Sequence, residues 1–340
     1  MDKHRATIIV TQRERFGMTE ESLDSLFEHT PGAPVIYVDG NSPKRVASYL
    51  SGVADQGKIR LIREERFLTP NEARNIGVSA AETDYVVFVD NDVVFTEGWL
   101  DALMDCADET SADIVAPLTC QGLPFHSEIH HAGGQYAAGG DVGAFFGTDD
   151  SRNFDEVMTG HGEKVADFSE HLTRQETGMC EFHCVLARRD VFERLGPLDE
   201  KLLSTKEHID FSMTVRNAGG KVMFEPTSVV TYVFPCRARP LNFEDWPFFA
   251  LRWSDAYGRR SLRHFIAKWK LDPPRGYVMD KRGIYAMRRM QGILIPLMRR
   301  VPILGRRDHL ARKAARATLF LERIVSETRI MLMDFRRRGT

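Results

Sequence analysis

Short apolar runs alternate with longer amphipathic stretches along the first third of the chain. Ala6-Thr7-Ile8-Ile9-Val10, Val35-Ile36-Tyr37-Val38-Asp39, Ile59-Arg60-Leu61-Ile62 and Tyr85-Val86-Val87-Phe88-Val89-Asp90 are β-branched or apolar nearly throughout and predict strands. Between them, Leu23, Leu26 and Phe27 recur at helical spacing over Thr19–His29, with Thr19 as the expected N-cap. Further helices are predicted over Lys44–Gly52 and Pro70–Ala81, the second started by its proline. Continuous apolar strands are those covered on both faces, as in a parallel sheet. The rhythm of strand and helix therefore predicts an α/β fold with right-handed crossovers.

Residues 121–180 lose this periodicity. Gly133-Gly134 and Gly139-Gly140 cluster there, with histidines at 126, 130, 131, 161 and 171. A long excursion of short strands and loops is expected, and such loops tend to be functional. Order returns with a strand over Glu181–Arg188, a helix over Arg189–Leu195, a helix over Glu207–Ala218 closed by Gly219-Gly220, and two strands, Lys221–Phe224 and Val229–Tyr232. From about Arg237 the pattern is helical, with amphipathic stretches over Ser261–Trp269, Arg282–Met298 and Leu310–Arg338. The division expected is a domain over 1–236, in halves 1–120 and 121–236, and a helical extension over 237–340.

Charge sharpens that division. The chain has 46 Lys/Arg and 48 Asp/Glu, a net of −2. After Asp280, 16 basic residues face 4 acidic ones, a net of +12. The first 280 residues thus hold 30 basic and 44 acidic side chains, a net of −14. This excludes binding of nucleic acid with the whole surface, and the tail has few aromatics for base stacking after Tyr285. Arg299-Arg300, Arg306-Arg307 and Arg336-Arg337-Arg338 beside Ile293-Leu294-Ile295 and Ile330-Met331-Leu332 suit an interfacial helix on an anionic membrane, with docking on the acidic body or homodimerisation as the other uses. Five cysteines are too sparse for a disulfide scaffold. The N-terminal apolar run is too short for a signal core, and the location expected is cytoplasmic, free or peripheral on the inner face of a membrane.

Ligands of parallel α/β sheets bind beyond the carboxyl ends of the strands. Three predicted strand ends are polar there: Thr11-Gln12-Arg13, Asp39, and Asp90-Asn91-Asp92. Two carboxylates one residue apart at a strand exit can face one crevice, and a hard divalent cation needs such oxygen ligands. The competing reading makes Thr96 the cap of the next helix and lets Asp92 cap a turn.

The segments Thr7–Thr11, Val38-Asp39-Gly40-Asn41-Ser42, Asn71-Glu72-Ala73-Arg74-Asn75-Ile76-Gly77, Ala80–Asp92, Arg188–Phe192, Leu195–Glu200, Glu207–Phe211 and Arg216–Gly220 are each weak motifs. In this order and spacing they resemble a family 2 glycosyltransferase of the GT-A fold, a Rossmann-like, mixed and mainly parallel sheet with flanking helices. The resemblance covers about the first two hundred and thirty residues. It implies a metal-dependent transfer of sugar from a nucleotide-sugar donor to an acceptor hydroxyl, on a glycan, a glycolipid or a small molecule. It also implies that Thr11, Arg13 and Asp39 hold base and ribose and that Arg74 lies near the diphosphate. Asp90 then meets ribose or, through water, Mg²⁺ or Mn²⁺; Asp92 binds the metal directly, and Asn91 belongs to the same donor set. A carboxylate at the start of the Glu207 helix is the general base of inverting members.

The sequence departs from the family pattern at three places. Asp39-Gly40 stands where two aspartates are usual, which leaves the base unnamed. Glu207-His208-Ile209-Asp210 has histidine at the usual position of the base, so Glu207, His208 and Asp210 all stand as candidates. Tyr232 replaces a late histidine ligand, with His183 or the His126/His130/His131 group as substitutes. Neither that group nor Cys180-x-x-His183-Cys184 has zinc spacing. The rivals are a retaining mechanism, a degenerate protein that binds sugar nucleotides without turnover, and a nucleotidyltransferase, whose glycine-rich loop after the first strand is absent.

Overall fold

A computed structural model of the chain describes residues 5–138, 154–234, 240–271, 277–301 and 308–338. The first half is built from β1 (Ala6–Thr11), α1 (Thr19–His29), β2 (Val35–Gly40), α2 (Lys44–Asp55), β3 (Arg60–Glu64), α3 (Pro70–Ala80), β4 (Tyr85–Asp90), β5 (Val93–Phe95) and α4 (Trp99–Thr110). Then come β6 (Ile114–Gln121), β7 (Ile129–His131), β8 (Gly134–Ala138), β9 (Phe154–Met158), the one-turn α5 (Val165–Phe168) and β10 (Gln175–Glu176). β11 (Cys184–Arg188), α6 (Asp190–Leu195), α7 (Glu207–Asn217) and β12 (Val222–Tyr232) complete the sheet region. The sheet order is β10-β12-β6-β11-β4-β1-β2-β3, with β5 added to β12 and β7 to β6. β3, β2, β1, β4, β6 and β12 run the same way, and β11 runs against its neighbours β4 and β6. The result is a mixed, mainly parallel sheet flanked by helices.

The apolar runs become the centre of this sheet. β1 and β4 are buried along their whole length, which is why the strands carry no alternation. Helix α3 lies unusually close to β1: a Cβ at Gly77 would fall 2.3 Å from Ile9 Cγ2, so only glycine permits the approach. That contact brings Arg74, one turn earlier, under the strand ends. Thr69 and Glu72 form a capping box that starts the helix.

Two expected details are corrected. Met18, not Thr19, is the N-cap of α1. The Thr19 hydroxyl is instead bonded to the Tyr37 hydroxyl (3.2 Å) and to Asn91 Nδ2 (3.0 Å). The two strands expected over 221–232 are one strand, β12, with an irregularity between Glu225 and Val229. Glu225 is buried there and receives Arg174 and Thr227, which is how a carboxylate sits inside a strand.

Beyond the sheet lie α8 (Trp246–Arg252), α9 (Asp255–Trp269), α10 (Tyr277–Arg289), a π-helical turn over Met290–Leu294, α11 (Ile295–Arg299) and α12 (Asp308–Arg338). This region packs onto the strand ends. Asp245 accepts from the backbone N–H of Phe16 (2.7 Å) and Gly17 (3.2 Å), and Phe248 packs on Phe16 with centroids 5.2 Å apart. The basic pairs Arg306-Arg307 and the last residues 339–340 lie outside the described residues. Among the described residues no helix is long and apolar enough to cross a membrane.

Candidate active site

The strand register builds the site. Thr11 pairs with Asp90 and with Val38, so β1 and β4 end level and β2 runs two residues further, to Gly40. β11 enters antiparallel with Cys184 opposite Val89, which places His183 beside Asp90. The Asp90 N–H donates to the His183 carbonyl (3.0 Å), and His183 Nδ1 lies 3.0 Å from Asp90 Oδ2. Asp92 follows on the same strand exit, its carbonyl accepting from Val233 N–H at 2.8 Å. One ligand atom from each of Asp90, Asp92 and His183 lies within 4.8 Å of the others, and all three residues are buried.

These groups are poorly compensated. Both Asp92 oxygens, His183 Nε2 and both Glu14 oxygens lack a hydrogen-bond partner among the described residues, and His183 Nδ1 and Asp90 Oδ2 meet at 3.0 Å without hydrogen-bond geometry. Burial, then the neighbouring Asp90 and Glu14 carboxylates, push Asp92 well above the usual carboxylate range. Buried anions without partners are costly unless a cation neutralises them. An oxygen-rich set with one imidazole fits a hard or borderline divalent ion. The Tyr232 ring stacks on His183, with centroids 3.9 Å apart at 22°, and its buried hydroxyl has no hydrogen-bond partner among the described residues. His130 stands behind, 5.0 Å from the His183 ring. The Thr96 capping alternative does not hold: Thr96 donates to Val229 O (2.8 Å), and Gly98 occupies the cap of α4.

The other expected donor residues take different positions. Arg13 Nε is 3.5 Å from Asp90 Oδ2, and its backbone N–H donates to Asn91 Oδ1 at 3.0 Å. Asn91 Nδ2 also donates to Arg15 O at 2.8 Å, so the Asn91 amide ties the loop after β1 to the end of β4. Thr11 is buried beside it, its carbonyl accepting from Asn91 N–H at 2.9 Å. Asp39 is fully buried. Its oxygens accept from Gln12 Nε2 (2.8 Å), Ser42 N–H (2.9 Å), Ser42 Oγ (2.9 Å) and Arg63. All its acceptor positions are taken, so a ribose contact must displace one of these donors. A 380 Å³ cavity beside it is lined by Phe16, Ser42, Arg63 and Phe67. Arg74 is buried, stacked 3.9 Å over the Phe182 ring, with Nη2 3.5 Å from Asp90 Oδ1. It stands behind Asp90. Burial lowers it to about 10, with Asp90 acting in the opposite direction.

The three candidate bases at the start of α7 separate clearly. Asp210 Oδ1 accepts from Trp269 Nε1 and Oδ2 from Lys268 Nζ, both at 2.8 Å, which ties α7 to α9. Glu207 is buried, 3.9 Å from Arg252 Nη2. His208 is 22% exposed on its side chain, with Nε2 3.3 Å from Glu181 Oε1. Burial pushes His208 down to about 3 and Glu181 up to about 7. The imidazole is thus neutral, and a carboxylate faces one of its nitrogens. Glu14, Glu181, Arg252 and Arg288 were not singled out from the sequence. Only the charge alternation Arg13-Glu14-Arg15 after a strand hints at any of them.

Asp90 and Asp92 thus stand at a strand exit of a mixed, mainly parallel sheet of GT-A architecture, with His208 at the head of α7 beside Glu181, two residues before His183. Residues 7–196 match the model described as glycosyl transferase family 2, and the chain belongs to that family. It is similar to the pre-mycofactocin glycosyltransferase of Mycobacterium tuberculosis, 34% identical over 88 residues, 25% of this chain and 18% of that protein. It is also similar to the uncharacterized protein y4gI of Sinorhizobium fredii, 23% identical over 277 residues, 78% of this chain and 27% of that protein. The chain thus spans about a fifth to a quarter of the length of these relatives. Among solved structures it resembles GalNAc-T7 with UDP, GalNAc and Mn²⁺, at a TM-score of 0.51 and 14% identity, over 82% of this chain and 57% of that one. That likeness concerns the fold.

Proposed function

We propose that this glycosyltransferase binds a divalent cation, Mg²⁺ or Mn²⁺, and moves a sugar from a nucleotide sugar to an acceptor hydroxyl with inversion. The observation that carries the reading is the convergence of Asp90, Asp92 and His183 with unpartnered atoms at the level strand ends. The fold neighbour described with UDP and Mn²⁺ supports it. Asp90, Asp92 and His183 would hold the ion, which when bound supplies a Lewis acid toward the departing diphosphate. Arg13 and Arg74 hold Asp90 in place from two sides. Glu181 orients His208 through Nε2 and leaves Nδ1 for the proton of the attacking hydroxyl. Burial disfavours the imidazolium in the free protein, and an ionised Glu181 offsets this as the proton arrives. The acceptor oxygen attacks the anomeric carbon from the face opposite the nucleotide while the bond from that carbon to the diphosphate breaks. The acceptor is a carbohydrate, a lipid-linked sugar or a small molecule.

The test is a panel of nucleotide sugars with purified protein and Mn²⁺ or Mg²⁺, read by mass spectrometry and by the configuration of the new bond. One donor should be consumed with inversion. A product that keeps the donor's configuration would remove the base assignment, and saturable binding without turnover would support a degenerate binding protein instead.

The extension offers a second reading of place. Phe320, Leu321, Ile324 and Val325 on α12 are 67%, 61%, 48% and 67% exposed, in the part of the chain that carries the +12 charge. Such a stripe among arginines suits an anionic lipid surface. The double substitution Phe320→Glu and Ile324→Glu should abolish sedimentation with phosphatidylserine vesicles. Unchanged sedimentation contradicts the reading, and a shift from dimer to monomer assigns the stripe to a homodimer.

A further inference from the structure

Two arginines reach the site from outside the family-matched residues. Arg252 ends α8 and is 3% exposed, and its Nε and Nη1 have no hydrogen-bond partner among the described residues. Its nearest carboxylate is Glu207, at 3.9 Å from Nη2. Arg288, on α10, lies with Nη1 3.7 Å from Glu14 Oε1 and its guanidinium 5.0 Å from the centroid of Trp253. Glu14 is itself fully buried and adjoins Asp92.

The placement of Arg288 is fixed by its neighbours on α10. Arg289 is buried and donates to the Trp253 carbonyl and, at 3.2 and 3.3 Å, to Asp255 Oδ1. One turn earlier, Tyr285 packs so close to Gly258 that a Cβ there would lie 2.2 Å from its ring. α10 is therefore locked onto α9 with Arg288 turned toward the strand ends. Leaving a buried guanidinium with unused N–H donors is costly, and the fold does so beside a cluster of carboxylates that already suits a cation. Arg74 is stacked on Phe182 and lies 3.5 Å from Asp90 Oδ1, which leaves only its Nε unpartnered among the described residues.

We propose that Arg252 and Arg288 form the far wall of the diphosphate cradle, so that the helical extension is part of the donor site. The planar fork of arginine matches adjacent phosphate oxygens, and two forks opposite a bound cation would hold both phosphates of the donor and of the leaving nucleoside diphosphate. Glu14 holds Arg288 in reserve before the nucleotide arrives. This rests on the nucleotide-sugar reading above.

Arg288 is the better probe, because its side chain is 29% exposed and its removal leaves the Arg289 and Tyr285 anchors in place. The experiment is calorimetric titration of the full chain with Mn²⁺ and UDP, GDP, CDP or ADP, each beside its monophosphate, for wild type, Arg288→Met and Arg288→Lys. For the nucleotide that wild type prefers, Arg288→Met should weaken the diphosphate by about tenfold or more and the monophosphate much less. Arg288→Lys should recover part of the loss. An equal loss for both nucleotides, or none, at an unchanged unfolding midpoint overturns the proposal. If wild type binds none of the four diphosphates, the donor reading itself fails, and the cradle with it.

Discussion

Asp92→Asn is expected to lower sugar transfer by at least about a hundredfold and, without divalent cation, to raise the unfolding midpoint. The two effects have one cause. Asp92 is fully buried, neither oxygen has a hydrogen-bond partner among the described residues, and Asp90 and Glu14 repel its charge. Whether the carboxylate stays charged or takes up a proton, the free protein is destabilised, and an isosteric amide relieves roughly 1–3 kcal/mol of that cost. Added Mn²⁺ should then raise the midpoint of the wild type and leave the variant where it is, since binding stabilises only a protein that has the site. Thermal unfolding with and without Mn²⁺, beside a transfer assay, checks both parts. A variant that is less stable than wild type and keeps its turnover would take Asp92 out of the site.

His208→Gln is expected to lower kcat by about 10²- to 10⁴-fold, the usual worth of a general base, with donor affinity unchanged. Asp210→Ala makes the contrast. Asp210 holds Trp269 and Lys268 against α7, so its loss should cost about 1–3 kcal/mol of stability while the remaining folded protein keeps most of its kcat. Urea unfolding and steady-state kinetics on both variants separate the roles. If Asp210→Ala loses turnover while His208→Gln keeps it, the two residues exchange places in the mechanism.

How much was legible in the sequence depends on how local the cause is. The strands from Ala6 to Asp90 declare themselves because burial on both faces needs unbroken apolar runs, and the chain supplies them. The same runs end in Thr11, Asp39 and Asp90-Asn91-Asp92, so the position of the crevice follows from topology alone. Residue roles within it do not. Asp39 is expected at the ribose, and the sequence does not show that Gln12, Ser42 and Arg63 already donate to it. Arg74 is expected near the diphosphate, and its burial against Asp90 follows from Gly77, which draws its helix onto β1. His183 is one of several histidine candidates in the sequence, and the antiparallel register of β11 against β4 is what singles it out beside the carboxylates. Arg252 and Arg288 come from helices whose sequence advertises only amphipathicity and charge, and their arrival depends on how α8 to α10 pack over the strand ends. In each case the missing information is long-range pairing.

If Asp90, Asp92 and His183 hold a divalent cation that serves a nucleoside diphosphate, calorimetry reads it as the affinity of wild type and Asp92→Asn for the preferred nucleoside diphosphate, in Mn²⁺ and in EDTA. Mn²⁺ should tighten wild-type binding by about tenfold or more, each tenfold being about 1.4 kcal/mol, and should leave Asp92→Asn unaffected. Equal affinity of the wild type in Mn²⁺ and in EDTA would contradict the account.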